Sequence, residues 1–178
     1  SQSLSTPYNS NNSSKGVFFD ITATNTVNVN RFDTAITSNG IFEIYYTTQS
    51  HVGVESNSAN WVLLGTSPTI ASNGTSPVSL QISFNVVIPS GSTYGFYIAN
   101  KQGSSVRYTN ASNNSETIAT DSNITIKGGS GSPSLFNGPF FTPRNANVTV
   151  YYSFFPEVET RNATSLNNNS ATLGGEVL

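Results

Sequence analysis

Charge is scarce in this chain. Of its 178 residues only 9% are Asp, Glu, Lys or Arg, against about 25% in an ordinary soluble domain. Seven basic and nine acidic residues leave a net charge of −2. So few cations cannot build a basic patch, which argues against a nucleic-acid partner. No run approaches the roughly 20 apolar residues of a membrane-crossing helix, so insertion into a membrane is not expected. Cysteine is absent, which excludes disulfides and thiolate metal sites. Methionine is absent too, and the chain opens Ser1-Gln2-Ser3. The expectation is a removed secretion signal, and with it a secreted or cell-surface location.

The same poverty thins out catalysis. His51 is the single histidine. A Ser-His-Asp triad would need it, with Asp33 or Asp121 behind it. No G-x-S-x-G elbow is present, nor a helix to carry one. The plainer reading of His51 is a solvated loop residue. Glycoside hydrolysis needs two carboxyls across a cleft. Glu43 takes an outward position in mid-strand, and no second carboxylate can be paired with it. The chain is read as not an enzyme, and no organic cofactor is expected.

Polar uncharged residues fill the space. Ser, Thr and Asn make up about two-fifths of the sequence. Hydroxyls and amides keep a surface soluble without charge. Aromatics reach 11%, with 11 Phe and 8 Tyr. Low charge with many aromatics is the reverse of the disorder signature, so a packed core is expected.

The apolar residues alternate with polar ones. Leu80, Ile82, Phe84, Val86 and Ile88 keep a period of two. Phe42, Ile44 and Tyr46 do the same, as do Tyr94, Phe96 and Ile98, and Val148, Val150, Tyr152 and Phe154. This is the pattern of half-buried antiparallel strands. Strands are predicted over 17–24, 26–34, 41–48, 61–66, 78–88, 93–100, 105–109, 116–120, 123–127 and 146–154, with 68–72 a further candidate. Turn signals separate them at Ser38-Asn39-Gly40, Ser72-Asn73-Gly74 and Pro89-Ser90-Gly91. About ten short strands predict an all-β fold, an antiparallel β-sandwich of jelly-roll type. Residues 51–60 read as a polar surface loop. Residues 128–144 are rich in Gly, Ser and Pro yet carry Leu135, Phe136, Phe140 and Phe141, which would pin a long loop over one end of the core.

A domain boundary is expected near Phe155-Pro156-Glu157, giving a sandwich module over 1–155 and a fragment of a second β domain over 156–178. Segments 157–160 and 170–178 read as two strands joined by an Asn/Ser-rich turn. So short a piece cannot bury a core. Its last strand is therefore expected to pair outside the tail, with a neighbouring molecule or a continuation domain.

Two resemblances follow from these residues. The tail, PEVETRNATSLNNNSATLGGEVL, resembles the opening strands of bacterial fibronectin-type-III-like or immunoglobulin-like repeats, through Ser170-Ala171-Thr172-Leu173-Gly174-Gly175-Glu176-Val177. The segments GVFFDITATNTVNVNRFD, FEIYYTTQSHVG, WVLLGT, VVIPSGSTYGFYI and FTPRNANVTVYY, taken in order, resemble a β-sandwich module of secreted, multidomain, adhesin-like bacterial proteins. The resemblance implies a cell-surface module joined to further domains of the same chain, and it carries no catalytic residue. Related modules usually have Trp in the last motif, where this chain has Asn145-Ala146.

Three tyrosines are candidate ligand contacts. Tyr45, Tyr97 and Tyr151 take the parity opposite to the inward set, so some would lie on an exposed face. Sugar rings stack on such faces while amides and hydroxyls bond their hydroxyl groups. A second layer over the sheet would bury them instead. Trp61 opens a strand and reads as core. Asp33, Asp121 and Asn123 have the oxygens that a structural Ca²⁺ takes, although Asp and Asn at strand ends commonly form turns. The functional expectation is non-catalytic adhesion or binding, with a glycan or other cell-surface ligand. The alternatives are a subunit or stalk of a surface filament, self-associating by strand pairing, and an accessory domain of a secreted enzyme.

Overall fold

The structure, a computed structural model, describes residues 1–154 apart from 75 and 104, and the backbone of 158–164 and 172–177. In chain order the strands are β1 (Gln2–Ser5), β2 (Asn12–Ser14), β3 (Gly16–Ala23), β4 (Val27–Ala35), β5 (Gly40–Thr47), β6 (Val62–Ile70), β7 (Pro77–Ser79) and β8 (Val86–Ile88). They continue with β9 (Thr93–Asn100), β10 (Val106–Asn110), β11 (Thr117–Thr120), β12 (Ile124–Ser132), β13 (Phe141–Ala146) and β14 (Val148–Phe154). The tail adds β15 (Val158–Thr164) and β16 (Thr172–Val177). The one helical turn among the described residues is a 3-10 turn at Ser58–Asn60, capped by Asn57. No helix there is long and apolar enough to cross a membrane.

Two antiparallel sheets face each other. The smaller runs β1-β14-β4-β7, with β8 also on β4. The larger runs β2-β10-β13-β12-β3-β9-β5-β6, with β11 on β12. The β-sandwich expected from the alternation is the fold. Phe19, Ile21, Phe42, Ile44, Phe96 and Ile98 of the larger sheet meet Val27, Val29, Phe32, Val148, Val150 and Tyr152 of the smaller, all essentially inaccessible to solvent. Phe32 is edge-on to Phe19, Phe84 and Phe96, with centroids 5.2–5.5 Å apart. Burying each such side chain stabilises the fold by about 1.5–3 kcal/mol.

Residues 80–88 keep their predicted parity but not their predicted ladder. Leu80, Ile82, Phe84, Val86 and Ile88 are all buried, and Gln81, Ser83, Asn85 and Val87 are exposed. Yet regular pairing covers only β7 and β8. Between them Gln81 has φ 54°, and the segment touches β4 through Leu80 N–H to Phe32 O and Phe84 N–H to Asn30 O. Burial fixes which side chain points inward, whereas a ladder also needs every φ in the extended region.

Residues 128–144 are more regular than a pinned loop. Gly128–Ser132 prolong β12, and Phe141–Ala146 form β13. The β12 register against β3 shifts between Lys127 and Ser130. A Cβ on Gly129 would collide with the carbonyl oxygen of Phe18, so the closest approach of these strands requires glycine. The short strands β1 and β2 were also outside the sequence expectation, because polar residues dominate both.

A third layer lies outside the larger sheet. Phe18, Tyr97 and Ala99 point away from the main core and pack with Trp61, and Tyr45, Val54, Phe136 and Phe140 close over them. The boundary expected at 155–157 lies outside the described residues. In the tail, β15 and β16 pair with each other in an antiparallel arrangement.

Candidate functional site

The three candidate tyrosines part company in the structure. Tyr97 is fully buried. Its ring stacks on Phe18 at 3.9 Å and its hydroxyl pairs with Ser132 Oγ at 2.7 Å. Burial pushes its phenol up to about 12. Tyr45 is half-buried, edge-on to Phe136 at 4.9 Å, and donates to Glu43 Oε2 at 2.6 Å. Burial, and then the Glu43 carboxylate, raise its pKa. These two do not form an exposed platform, because the two loops carrying Trp61, Phe136 and Phe140 fold back over them. Glu43 is buried likewise. Besides Tyr45 it meets Lys101 Nζ at 3.2 Å and Thr66 Oγ1 at 3.5 Å. Its outward parity is correct, but the outside of this sheet is covered.

His51 is a second correction. It is 2% exposed and is not a solvated loop residue. Its partner is Asp20, not Asp33 or Asp121. The Asp20 carboxylate accepts the His51 backbone N–H at 2.9 Å, its Nδ1–H at 2.8 Å and the Ser50 hydroxyl at 2.5 Å. Burial opposes the charge on Asp20, but these bonds outweigh it and hold the carboxyl below the ordinary aspartate value. On the other side of the ring, Nε2 lies 4.0 Å from Glu55 Oε1. A small cavity of about 120 Å³ adjoins it, lined in part by Ser130 and Thr142, whose hydroxyls bond each other at 2.6 Å. The arrangement anchors the start of the loop 51–57 to β3. A buried charge on a strand needs such a set of donors to be tolerated.

The candidate oxygen donors lie in two separate places. Asp121 Oδ1 accepts the backbone N–H groups of Asn123 and Ile124 at 2.8 and 2.9 Å, and Oδ2 accepts the Tyr152 hydroxyl at 2.6 Å. Asn123 Nδ2 also reaches that hydroxyl. Burial works against the Asp121 charge, and the three bonds still keep its pKa low. Asp33 is elsewhere, on the outer face of the smaller sheet with Tyr151. Among the described residues no group of three His, Asp or Glu side chains that could hold a metal ion is found. Turn formation accounts for Asp121 and Asn123.

That outer face carries a groove of about 530 Å³. Small-molecule sites fall in the range of roughly 300–1,000 Å³. Its lining is Ser1, Gln2 and Ser3 from the β1 end, Asn30 and Arg31 from β4, Ser83, Phe84 and Asn85 from the irregular segment, and Tyr151 from β14. Parity puts them together. Val150 and Tyr152 point into the core, so Tyr151 points out, with Ser3 and Arg31 as its cross-strand neighbours. A register shift in β4 makes Asn30 an extra residue opposite the Tyr151–Tyr152 step. The bulge turns both Asn30 and Arg31 towards the groove.

Tyr151 is held from two sides. Its hydroxyl donates to Asp33 Oδ2 at 2.9 Å, and the Arg31 guanidinium lies 3.8 Å over its ring centroid. Arg31 Nε is 3.7 Å from Asp33 Oδ1. Along the same face Asn28 donates to Asn85 at 3.0 Å, and Ser5 and the Tyr8 hydroxyl both bond Thr149 Oγ1. Burial pushes the Tyr8 phenol up to about 12 despite that bond. Three buried polar atoms here, Asn28 Oδ1, Arg31 Nε and Asp33 Oδ1, have no hydrogen-bond partner among the described residues. Of the residues predicted from sequence, the structure thus brings Tyr151 and Asp33 together and leaves Tyr45 and Tyr97 in a packed layer. Arg31, Asn30, Ser83 and Asn85 were not anticipated. The signal for the first two was the broken parity of Val27, Val29 and Phe32, which requires one extra residue between 29 and 32.

No protein-family model matches this chain, and no curated protein matches it.

Proposed function

We propose that this chain is a non-catalytic binding module of a secreted or cell-surface protein, and that its ligand is a glycan seated in the groove on the outer face of the smaller sheet. The observation that carries the reading is the composition of that groove. One oriented tyrosine ring stands among serine hydroxyls, side-chain amides and an arginine. Sugars present apolar C–H faces beside hydroxyls that both donate and accept. Tyrosine suits the first, and Ser and Asn, which also donate and accept, suit the second. Tyr151 is fixed in advance by Asp33 and Arg31, so little side-chain freedom is lost on binding.

The strand edges favour binding over filament formation. In the two body sheets β1, β2, β7, β8 and β11 have three or four residues each. The longer edge strand β6 contains Pro68, which lacks a backbone donor. Short edges and proline are how sheets discourage pairing with another chain.

A glycan array, followed by titration of the best ligand, tests the reading. Tyr151→Ala is expected to weaken binding by about 1–3 kcal/mol, roughly 5- to 150-fold in Kd. Tyr45→Phe, in the covered layer, is expected to leave affinity unchanged. An array without a single hit, or equal losses from both variants, would refute it.

A further inference from the structure

We infer that the groove selects a sugar bearing a carboxylate, a uronic or nonulosonic acid residue, and that Arg31 is the residue that reads it. The inference rests on the glycan reading and narrows it. Arg31 is the one charged side chain among the groove-lining residues. Its side chain is 42% exposed, yet it donates no hydrogen bond to any described residue, and its Nε is buried without a partner. Its nearest carboxylate, Asp33, is 3.7 Å away at the Nε side, beyond hydrogen-bond reach, and the second oxygen of Asp33 is engaged by Tyr151. The guanidinium carbon lies 3.8 Å over the centroid of the Tyr151 ring. What remains is a guanidinium with N–H donors left over, in a groove whose other side chains are neutral.

A guanidinium fork matches the two oxygens of a carboxylate in one plane, with two parallel charge-assisted bonds. A neutral sugar offers single hydroxyls that cannot reproduce that geometry. The electrostatics also limit the charge of the ligand. One cation, with Asp33 close behind it on a chain of net charge −2, suits one carboxylate at a time. A densely sulfated chain needs a row of cationic side chains, and Arg31 is the single one in the groove lining.

The test measures, by calorimetry, the affinity of the intact protein for three matched oligosaccharides: a neutral one, its uronic-acid counterpart, and the methyl ester of that uronate. Wild type is expected to bind the uronate at least tenfold more tightly than the neutral sugar, and esterification should abolish the preference without any change to the protein. Arg31→Gln should remove the preference, bringing the affinities for the uronate and the neutral sugar to within about threefold of each other, with an unchanged melting temperature as the check on folding. Arg31→Lys, which keeps charge without the fork, should fall between. Equal affinity for all three sugars would overturn the inference and leave the glycan reading standing. Failure of all three to bind, on a folded protein, would overturn both.

Discussion

Removing the Asp20 carboxylate takes away the anchor on which the loop 51–57 hangs. Asp20 is 4% exposed and accepts three hydrogen bonds, two from His51 and one from Ser50. Each bond to a charged acceptor contributes about 1.5–3 kcal/mol before the cost of burying the charge is set against it. Breaking a buried pair by removing one partner costs about 3–5 kcal/mol net. Asp20→Ala is expected to fall in that range. Asp20→Asn keeps one acceptor oxygen for His51 and asks Ser50 Oγ to rotate and accept, so about 1–2 kcal/mol is expected. Urea denaturation followed by circular dichroism reads both. Acidification supplies a second check. The native-state pKa of Asp20 is lowered from 3.8, so its contribution is complete above that value and is lost as pH falls from there through the native-state value. The stability gap between wild type and Asp20→Asn should hold from neutral pH to about pH 5 and close below the ordinary aspartate value. Variants within about 0.5 kcal/mol of wild type, the scatter of ordinary surface substitutions, would refute the reasoning. So would a gap that persists undiminished in acid.

Two further outcomes follow from the packing. Gly129→Ala drives a Cβ into the Phe18 carbonyl at the register shift of β12; because backbone cannot give way as a side chain tip can, about 1–3 kcal/mol of destabilisation is expected in a thermal melt. Phe136→Ala removes the ring that covers Tyr45 and Tyr97; as Phe136 is only partly buried, the cost is expected at about 1–3 kcal/mol, below the 3–5 of a fully buried phenylalanine, with a red shift in Trp61 fluorescence and no change in groove affinity.

Alternation made the inner core readable. Phe42 and Ile44, Phe96 and Ile98, and Val148 and Val150 lie where a period of two puts them. It could not show what covers the other side of a strand. Phe18 beside Phe19, and Tyr97 between Phe96 and Ile98, mark strands buried on both faces, but their partners Trp61, Phe136 and Phe140 come from loops distant in sequence. Parity therefore placed Tyr45 and Tyr97 on the outside correctly and left open whether the outside was wet. The same limit hid His51. Its contact with Asp20 joins a loop to a strand 31 residues away, and neither residue has a local pattern that announces it. At the groove, parity alone found Tyr151. Asp33, a candidate metal ligand by its residue type, also orients the tyrosine, and Arg31 is hidden in the sequence by the bulge that changes the phase of β4.

The most direct test of the account is where a bound glycan sits. Amide and aromatic chemical-shift mapping of the isotope-labelled protein, titrated with its best array ligand, locates the site without any substitution. The account predicts saturable shifts at Ser3, Asn30, Arg31, Ser83, Asn85 and the Tyr151 ring, with Trp61, Phe136 and His51 unmoved. Shifts centred on the Trp61–Phe136 layer, with the Tyr151 face silent, would contradict it.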